Sequence, residues 1–321
     1  MKDIAAPVAK GAILDELTKD KFLRKTNKGD NEIYIVTHHD SPNIMFEIGR
    51  LREITFRNAG GGTGNDVDID RYDTCENPYK QLIVWDPDAQ EILGGYRFIE
   101  GNKLKEDENG ELELATARLF HFSEKFKKEY MPYTIELGRS FVQPDYQSSK
   151  AGAKALFALD NLWDGLGALI IDHPDVKYFF GKVTMYTHFN SSARNLILGF
   201  FHKYFRDTEN LVYPKRPMVI NQDLNELTSI FDGDSYNADF RILTQKVREY
   251  NENIPPLINA YMNLSPSMKT FGTVLNDRFG DVEETGIIVT IRDIYEAKKD
   301  RHIETYIKSK DQGKDPYMEI K

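Results

Sequence analysis

Tyr133-Thr134-Ile135-Glu136-Leu137-Gly138-Arg139-Ser140-Phe141-Val142-Gln143-Pro144-Asp145-Tyr146 places a glutamate and an arginine inside an otherwise apolar, strand-like run. Charge is costly to bury in such a strand, so the pair has to be partnered, wetted by a cleft or used in chemistry. The run breaks at Pro144 and passes through Asp145 to Ser149 into an Ala- and Leu-rich helix, expected from about 149 to 167. Strand, sharp break and helix start is a layout that binds anionic groups, because the first N–H groups of the helix and its dipole point at the ligand. Positions 136 and 139 are three apart, which sends their side chains to opposite faces of a regular strand. A bulge at Gly138 would bring both toward one cleft and release a backbone N–H from the ladder.

Outward from this strand, Asn31–Thr37 (NEIYIVT) reads as a first strand. Ser41-Pro42-Asn43 opens a helix in which Ile44, Ile48, Leu51, Ile54 and Thr55 recur at helical spacing, ending near Asn58. The glycine-rich Ala59–Gly64 (AGGGTG) follows that helix rather than a strand, so it lacks the context of a phosphate loop and reads as a flexible connection. Gln81–Trp85 and Glu91–Ile99 form a hairpin around Asp86-Pro87-Asp88-Ala89. Leu112–Tyr130 shows no decisive pattern. Beyond the central strand and its helix, Lys177–Tyr186 is a strand and Ser191–Phe205 a helix entered through serines.

Residues 206–254 are polar and weakly patterned and read as an insertion, with one helix near Asn237–Tyr250. Pro255-Pro256-Leu257 opens a short helix, and Ser267–Val274 and Thr285–Ile291 are the last strands. Residues 1–30 read as an N-terminal arm, 31–296 as the domain and 297–321 as a charged, partly exposed tail. This order predicts an α/β fold: a mixed, largely antiparallel central sheet flanked by helices, with a helical insertion before the last two strands.

The chain has 321 residues, 40% of them hydrophobic, which is enough for a substantial core. Its formal charge of -9 argues against nucleic acid as a partner. Cys75 is the single cysteine, so an internal disulfide is ruled out, and with few scattered histidines no metal site is expected. No signal-peptide pattern opens the chain, and Ala151–Ile171 carries Lys154, Asp160, Asn161 and Asp164, which spoil it as a membrane span. A cytoplasmic location is expected, with any membrane contact peripheral and at the inner face.

Five places stand out in order: Arg50-Leu51-Arg52-Glu53-Ile54-Thr55-Phe56-Arg57, Asp68-Ile69-Asp70-Arg71-Tyr72-Asp73, Ile92-Leu93-Gly94-Gly95-Tyr96-Arg97-Phe98, Glu136–Ser140 with Pro144-Asp145-Tyr146, and Pro255-Pro256-Leu257 with Tyr261 and Asp277–Gly280 (DRFG). These resemble the GNAT superfamily, in particular its acyl-carrier-protein-using branch, the ornithine- and glycine-lipid N-acyltransferases often called hemolysin-like, and more distantly the acyl-homoserine-lactone synthases. Together they span roughly residues 33 to 291 apart from the insertion. The usual GNAT phosphate loop appears only as Gln147-Ser148-Ser149-Lys150-Ala151-Gly152-Ala153, with imperfect spacing.

The resemblance implies a GNAT-like fold and an amide-forming acyltransferase. The donor would be the acyl-phosphopantetheine of acyl carrier protein, with a coenzyme A thioester as the other source and no tightly bound cofactor. Ser148, Ser149, Lys150 and Gly152 would take its phosphate at the helix start, although the serines also suit a plain helix cap. Glu136 would remove the ammonium proton of the acceptor, and with Arg139 forms the catalytic pair; a structural Glu–Arg ion pair is the other reading. Asp70, Asp73, Arg97 and Arg52 would shape the acceptor side, unless Asp68–Asp73 is simply a solvated acidic loop. Lys125, Lys127 and Lys128, or Lys203, Arg206, Lys215 and Arg216, would dock the acidic carrier protein, unless they are ordinary solvated charges, and Trp163, Leu166, Phe179, Phe200 and Phe201 are candidates for an acyl channel or plain core. The acceptor would be a small amino acid, glycine or ornithine, giving a lyso-aminolipid that a PlsC-like O-acyltransferase would complete. The competing readings are an acyl-homoserine-lactone-like signal synthase and a non-catalytic lipid-binding or membrane-active protein.

Overall fold

The computed structural model describes residues 1–147 and 153–311. In chain order the first elements are α1 (Lys10–Glu16), β1 (Phe22–Lys25), β2 (Glu32–Val36), α2 (Pro42–Asn58), α3 (Arg71–Thr74), β3 (Lys80–Asp86), β4 (Glu91–Glu100), β5 (Phe120–Phe122), β6 (Thr134–Val142) and α4 (Ala153–Asp172). Then come β7 (Tyr178–Met185), α5 (Ser191–Tyr204), β8 (Val212–Pro214), α6 (Leu224–Thr228), α7 (Tyr236–Arg248), α8 (Pro256–Met262), β9 (Lys269–Asn276), β10 (Val282–Thr290), α9 (Glu296–Lys299) and α10 (Thr305–Asp311). Backbone packing separates two units. The first combines 1–103, 135–176 and 295–321, and the second 104–134 with 177–294.

In the first unit β1, β2, β3, β4 and β6 lie side by side in that order, and the pairs are antiparallel. The β3–β4 hairpin pairs Lys80 with Phe98 and Asp86 with Glu91. These strands are buried on both faces at nearly every position of β3 and β4, and Ile33, Val36, Leu82, Phe98 and Ile135 are fully buried. The helical spacing of Ile44, Ile48 and Leu51 becomes the buried face of α2, as the 3.6-residue period requires. Helix α4 packs close on the hairpin, since a side chain at Gly165 would approach Leu82 to 2.7 Å.

Residues 1–30, read as an arm, supply α1 and the edge strand β1. The Glu16 carboxylate accepts from the N–H groups of Asn43 and Ile44, at 3.0 and 2.8 Å, and so caps α2 from a distance in sequence. The glycine-rich 59–64 segment, read as flexible, is pinned: Glu53 accepts from the N–H groups of Thr63 and Gly64 at 3.0 and 2.7 Å and from Arg57 at 2.8 Å. Burial pushes the Glu53 carboxyl up, but those bonds outweigh it and hold it below the usual carboxylate range.

The segment after 295 is likewise more than a charged tail. His302 is buried, and its Nδ1 lies 2.8 Å from Asp164 of α4. Arg24 of β1 donates to the His302 carbonyl at 3.2 Å, and Tyr306 donates to Asp172 at 3.0 Å.

In the second unit β7, β10 and β9 form an antiparallel sheet. The β9–β10 turn runs through Asp277–Phe279 and closes at Gly280, whose φ of 80° suits a residue without a Cβ. The 206–254 insertion carries α6, α7 and the strand β8, which pairs with β5. That pairing explains why Leu112–Tyr130 resisted reading: its three-residue strand is defined by a partner about ninety residues away rather than by its own pattern. Phe126 meets Phe180 and Phe271 edge-on, and these two lie tilted to each other in the same core. Among the described residues, no helix is long and apolar enough to cross a membrane.

Gly167 offers a test of the docking of the last helices. A methyl group there would come within 2.3 Å of the His302 carbonyl oxygen. Gly167→Ala is therefore expected to destabilise the protein by about 1–3 kcal/mol in urea unfolding and to raise amide exchange across residues 300–306. Wild-type stability and exchange would show that α4 does not need this close approach.

Candidate active site

Strand β6 departs from regularity where its charges lie. Arg97 of β4 faces Gly138 and Gly95 faces Phe141, so β6 holds one residue more than β4 between these rungs. The bulge was expected at Gly138; the left-handed residue is instead Arg139, with φ 51°. Arginine in that region is strained by about 1–3 kcal/mol and stays there only when its surroundings fix it. What fixes it is an ion pair from Arg139 Nε to Asp68 at 2.7 Å, with Asp70 at 3.8 Å from the guanidinium. Gly138 serves a different need. The Arg97 side chain crosses over it, and a Cβ there would lie 3.7 Å from Arg97 Nε.

Asp70 and Asp73 are placed by a capping box at the start of α3: Asp70 accepts from the Tyr72 N–H at 2.9 Å and Asp73 from the Asp70 N–H at 3.0 Å. Their remaining capacity goes to arginine. Arg97 grips Asp70 in a two-pronged pair at 2.9 and 3.0 Å and reaches Asp73 at 3.1 Å. Arg52 of α2 lies 3.5 Å from Asp73, and Gln81 of β3 bridges the two, donating to Asp73 at 3.0 Å and accepting from Arg52.

Asp68, Asp73, Arg52 and Arg97 are buried, so this segment is no solvated acidic loop; only Asp70, 31% exposed, and Arg139, 14%, reach solvent. Burial raises the Asp73 carboxyl, but Arg97 and then Arg52 overcome it and hold it well below the carboxylate range. Arg97 is shifted well above its ordinary value, burial being outweighed by Asp73 and Asp70.

Glu136 lies on the same face as Arg97, since it pairs with Ile99 two residues along. It is 2% exposed rather than open to a cleft, and the Tyr79 hydroxyl donates to its Oε2. The Tyr79 ring is faced by the Arg97 guanidinium at 4.9 Å and by the Tyr72 ring at 5.9 Å. The bulge thus joins Glu136 and Arg139 to one assembly through Tyr79, Arg97 and Asp70. Tyr79 and Gln81 escaped the sequence reading, because a tyrosine ahead of a strand and a glutamine within it carry no signal of their own.

Four buried polar atoms around the cluster have no partner: Arg52 Nε, Arg97 Nε, Asp68 Oδ1 and Thr55 Oγ1. The two arginine N–H groups and the carboxylate oxygen left open within the cluster suit the two ends of a small zwitterion. Among the described residues no group of three His, Cys, Asp or Glu side chains could hold a metal ion.

Ser148, Ser149, Lys150 and Gly152 lie outside the described residues. The lysines suggested for carrier docking are engaged: Lys125 with Glu209, Lys127 with Glu106, Lys128 with Glu124, Lys203 with Asp239 and Lys215 with Glu111. Leu166, Phe179, Phe200 and Phe201 are buried and Trp163 half-buried. Phe200 packs among Tyr204, Phe231 and Tyr236 as ordinary core.

Removing one partner from a buried charge network costs about 3–5 kcal/mol, so Asp73→Asn is expected to lose that much in urea unfolding at pH 7. The folded carboxyl is depressed, so its contribution is complete above the unfolded value near pH 4 and fades as the pH falls below it. The gap between wild type and Asp73→Asn should therefore narrow below about pH 4. A gap independent of pH would show that Asp73 contributes by shape rather than charge.

A family model described as an acetyltransferase (GNAT) domain matches residues 51–156, a span that contains every member of the cluster. The glycine N(alpha)-acyltransferase of Phocaeicola vulgatus is 57% identical over 308 residues, covering 96% of this chain and 94% of the relative. That of Bacteroides thetaiotaomicron is 57% identical over 309 residues, covering 96% and 92%. The L-ornithine N(alpha)-acyltransferase of Brucella abortus is 24% identical over 235 residues, covering 67% and 68%. Among solved structures, the CoA-dependent acyl-homoserine lactone synthase BjaI aligns with 14% identity and a TM-score of 0.31, over 66% of this chain and 98% of that one. At 57% identity along nearly its whole length, and with a GNAT domain laid over its charged cluster, this chain is an acyltransferase and belongs to the family of the glycine N(alpha)-acyltransferases.

Proposed function

We propose that the protein transfers a 3-hydroxyacyl group from the phosphopantetheine thioester of acyl carrier protein to the amine of glycine, giving an N-acylglycine, a lyso-aminolipid. The observation that carries the reading is the set of unpartnered polar atoms within the Arg–Asp cluster, to which Tyr79 ties Glu136. Arg97 Nε–H and Arg52 Nε–H suit an amino-acid carboxylate, and Asp68 Oδ1 and Thr55 Oγ1 suit its ammonium. Glycine is favoured over ornithine because the two relatives named for glycine are 57% identical and the one named for ornithine 24%.

In this reading the acceptor nitrogen loses one proton to the Glu136 carboxylate, directly or through a water, breaking N–H and forming O–H. The nitrogen lone pair then attacks the thioester carbonyl and C–N forms; as the adduct collapses C–S breaks, the sulfur leaves with the bonding electrons and takes the second proton from the nitrogen, giving the neutral amide and a free thiol. Backbone N–H at the Arg139 bulge, outside the regular ladder, would polarise the thioester oxygen. Burial of Glu136 keeps bulk water from the base while the acceptor is bound. Ser148, Ser149, Lys150 and Gly152, which precede α4 in the sequence, would receive the donor phosphate. Carrier protein as donor, a second O-acyltransferase acting on the product and peripheral membrane contact belong to the same reading; coenzyme A is the alternative donor.

Purified protein incubated with 3-hydroxyacyl carrier protein, or with the same chain on coenzyme A, should yield N-acylglycine from glycine by mass spectrometry. Ornithine should be at least about tenfold slower, the scale of one lost or gained polar contact. Glu136→Gln should stay folded and lose about 10²–10⁴-fold in turnover, the range of general-base catalysis. Unchanged turnover would remove Glu136 as the base and leave it a structural partner of Tyr79.

A further inference from the structure

Tyr79 is 1% exposed and sits at the entry to β3, its backbone N–H fixed on the Tyr72 carbonyl at 2.8 Å. Its ring is packed by Arg97 and Tyr72, work that phenylalanine would do equally well. The hydroxyl adds one thing more, a donor to Glu136 Oε2. We infer that Tyr79 is a positioning residue for acyl transfer, with its hydroxyl orienting the Glu136 carboxylate and its ring holding Arg97 over Gly138. This inference rests on Glu136 acting as the base.

The physical case is one of direction. A carboxylate on a glutamate stem rotates about its last bond, and anchoring one oxygen fixes where the other presents its lone pairs. A proton acceptor misplaced by an ångström loses up to about a hundredfold in rate. The hydroxyl also favours the ionised carboxylate, which is the form able to take a proton. The same side chain meets the guanidinium whose Nε is unpartnered, so one phenol ties the base to the face expected to receive the acceptor carboxylate. Charged or titratable groups of the same cluster include Arg97 on β4, Asp70, Tyr72 and Asp73 at α3, Arg52 on α2 and Arg139 on β6. None of these changes its identity in the test below.

The test measures glycine acylation with 3-hydroxyacyl carrier protein from pH 5 to 9 for wild type, Tyr79→Phe, a protein carrying 3-fluorotyrosine at position 79, and Glu136→Gln. Tyr79→Phe should lower kcat roughly 10–100-fold with the KM for glycine changed less than about threefold. Without its donor the carboxylate should accept protons at higher pH, so the acidic limb of the kcat/KM profile should move upward. Fluorotyrosine, a stronger donor of nearly the same shape, should move that limb downward, and it decides the matter if Tyr79→Phe does not fold. A dead Glu136→Gln together with wild-type kcat and limb in Tyr79→Phe would overturn the inference alone, as would a change confined to KM. A fully active Glu136→Gln would overturn the base assignment and the inference with it.

Discussion

Arg97 sits with Asp70 on one side of its guanidinium and Asp73 on the other, and both carboxylates come from a single helical turn whose N-terminus they also cap. That double duty couples the α3 turn to the sheet, because moving either carboxylate would uncap the helix and strand a buried cation. Arg52 and Gln81 extend the coupling to α2 and β3, and Arg139 with Asp68 extends it to β6. Five elements of the first unit, α2, α3, β3, β4 and β6, are thus held in register by charge rather than by apolar packing alone. Such a cluster is poor value as a source of stability, since apolar residues of equal volume commonly do as well. Its persistence in the interior is better explained by what it presents: fixed donors and acceptors, some still open, beside a carboxylate.

The left-handed Arg139 belongs to the same logic. A glycine would adopt φ 51° at little cost, and one stands immediately before it, yet the chain puts the arginine at the strained position. The glycine is needed where it is, under the Arg97 side chain, and the arginine is needed for Asp68. Two demands on adjacent residues therefore settle where the bulge falls, and the strain is offset by a short charge-assisted bond.

Much of the architecture was legible because it rests on local pattern. The hairpin, the strand at 134–142 and the helices at 42–58 and 191–204 follow from periodicity and turn chemistry that the sequence carries in place. The misreadings share a cause. β1, β5 and β8 are three or four residues long and exist through their partners, and the glycine-rich loop is ordered by a glutamate on the preceding helix. Charged residues of the site could be named from their motifs, but not that Asp73 and Arg52 would be sealed, nor that the bulge would fall on Arg139. Tyr79 was invisible, since only three-dimensional proximity distinguishes it from any other buried phenol.

The strand at one end of the chain and the helices at the other grip the same helix: Arg24 bonds the carbonyl of His302, and Asn27 and His302 share the Asp164 carboxylate. During synthesis these partners emerge far apart. At ribosomal speeds of about 5–20 residues per second, the roughly 140 residues between Asp164 and His302 represent some 7–30 s in which the first unit lacks its last support. Asp164 therefore waits until late on the ribosome for its second partner, and a nascent chain halted before residue 300 would hold every residue of the charged cluster while α4 still lacked its contact with His302.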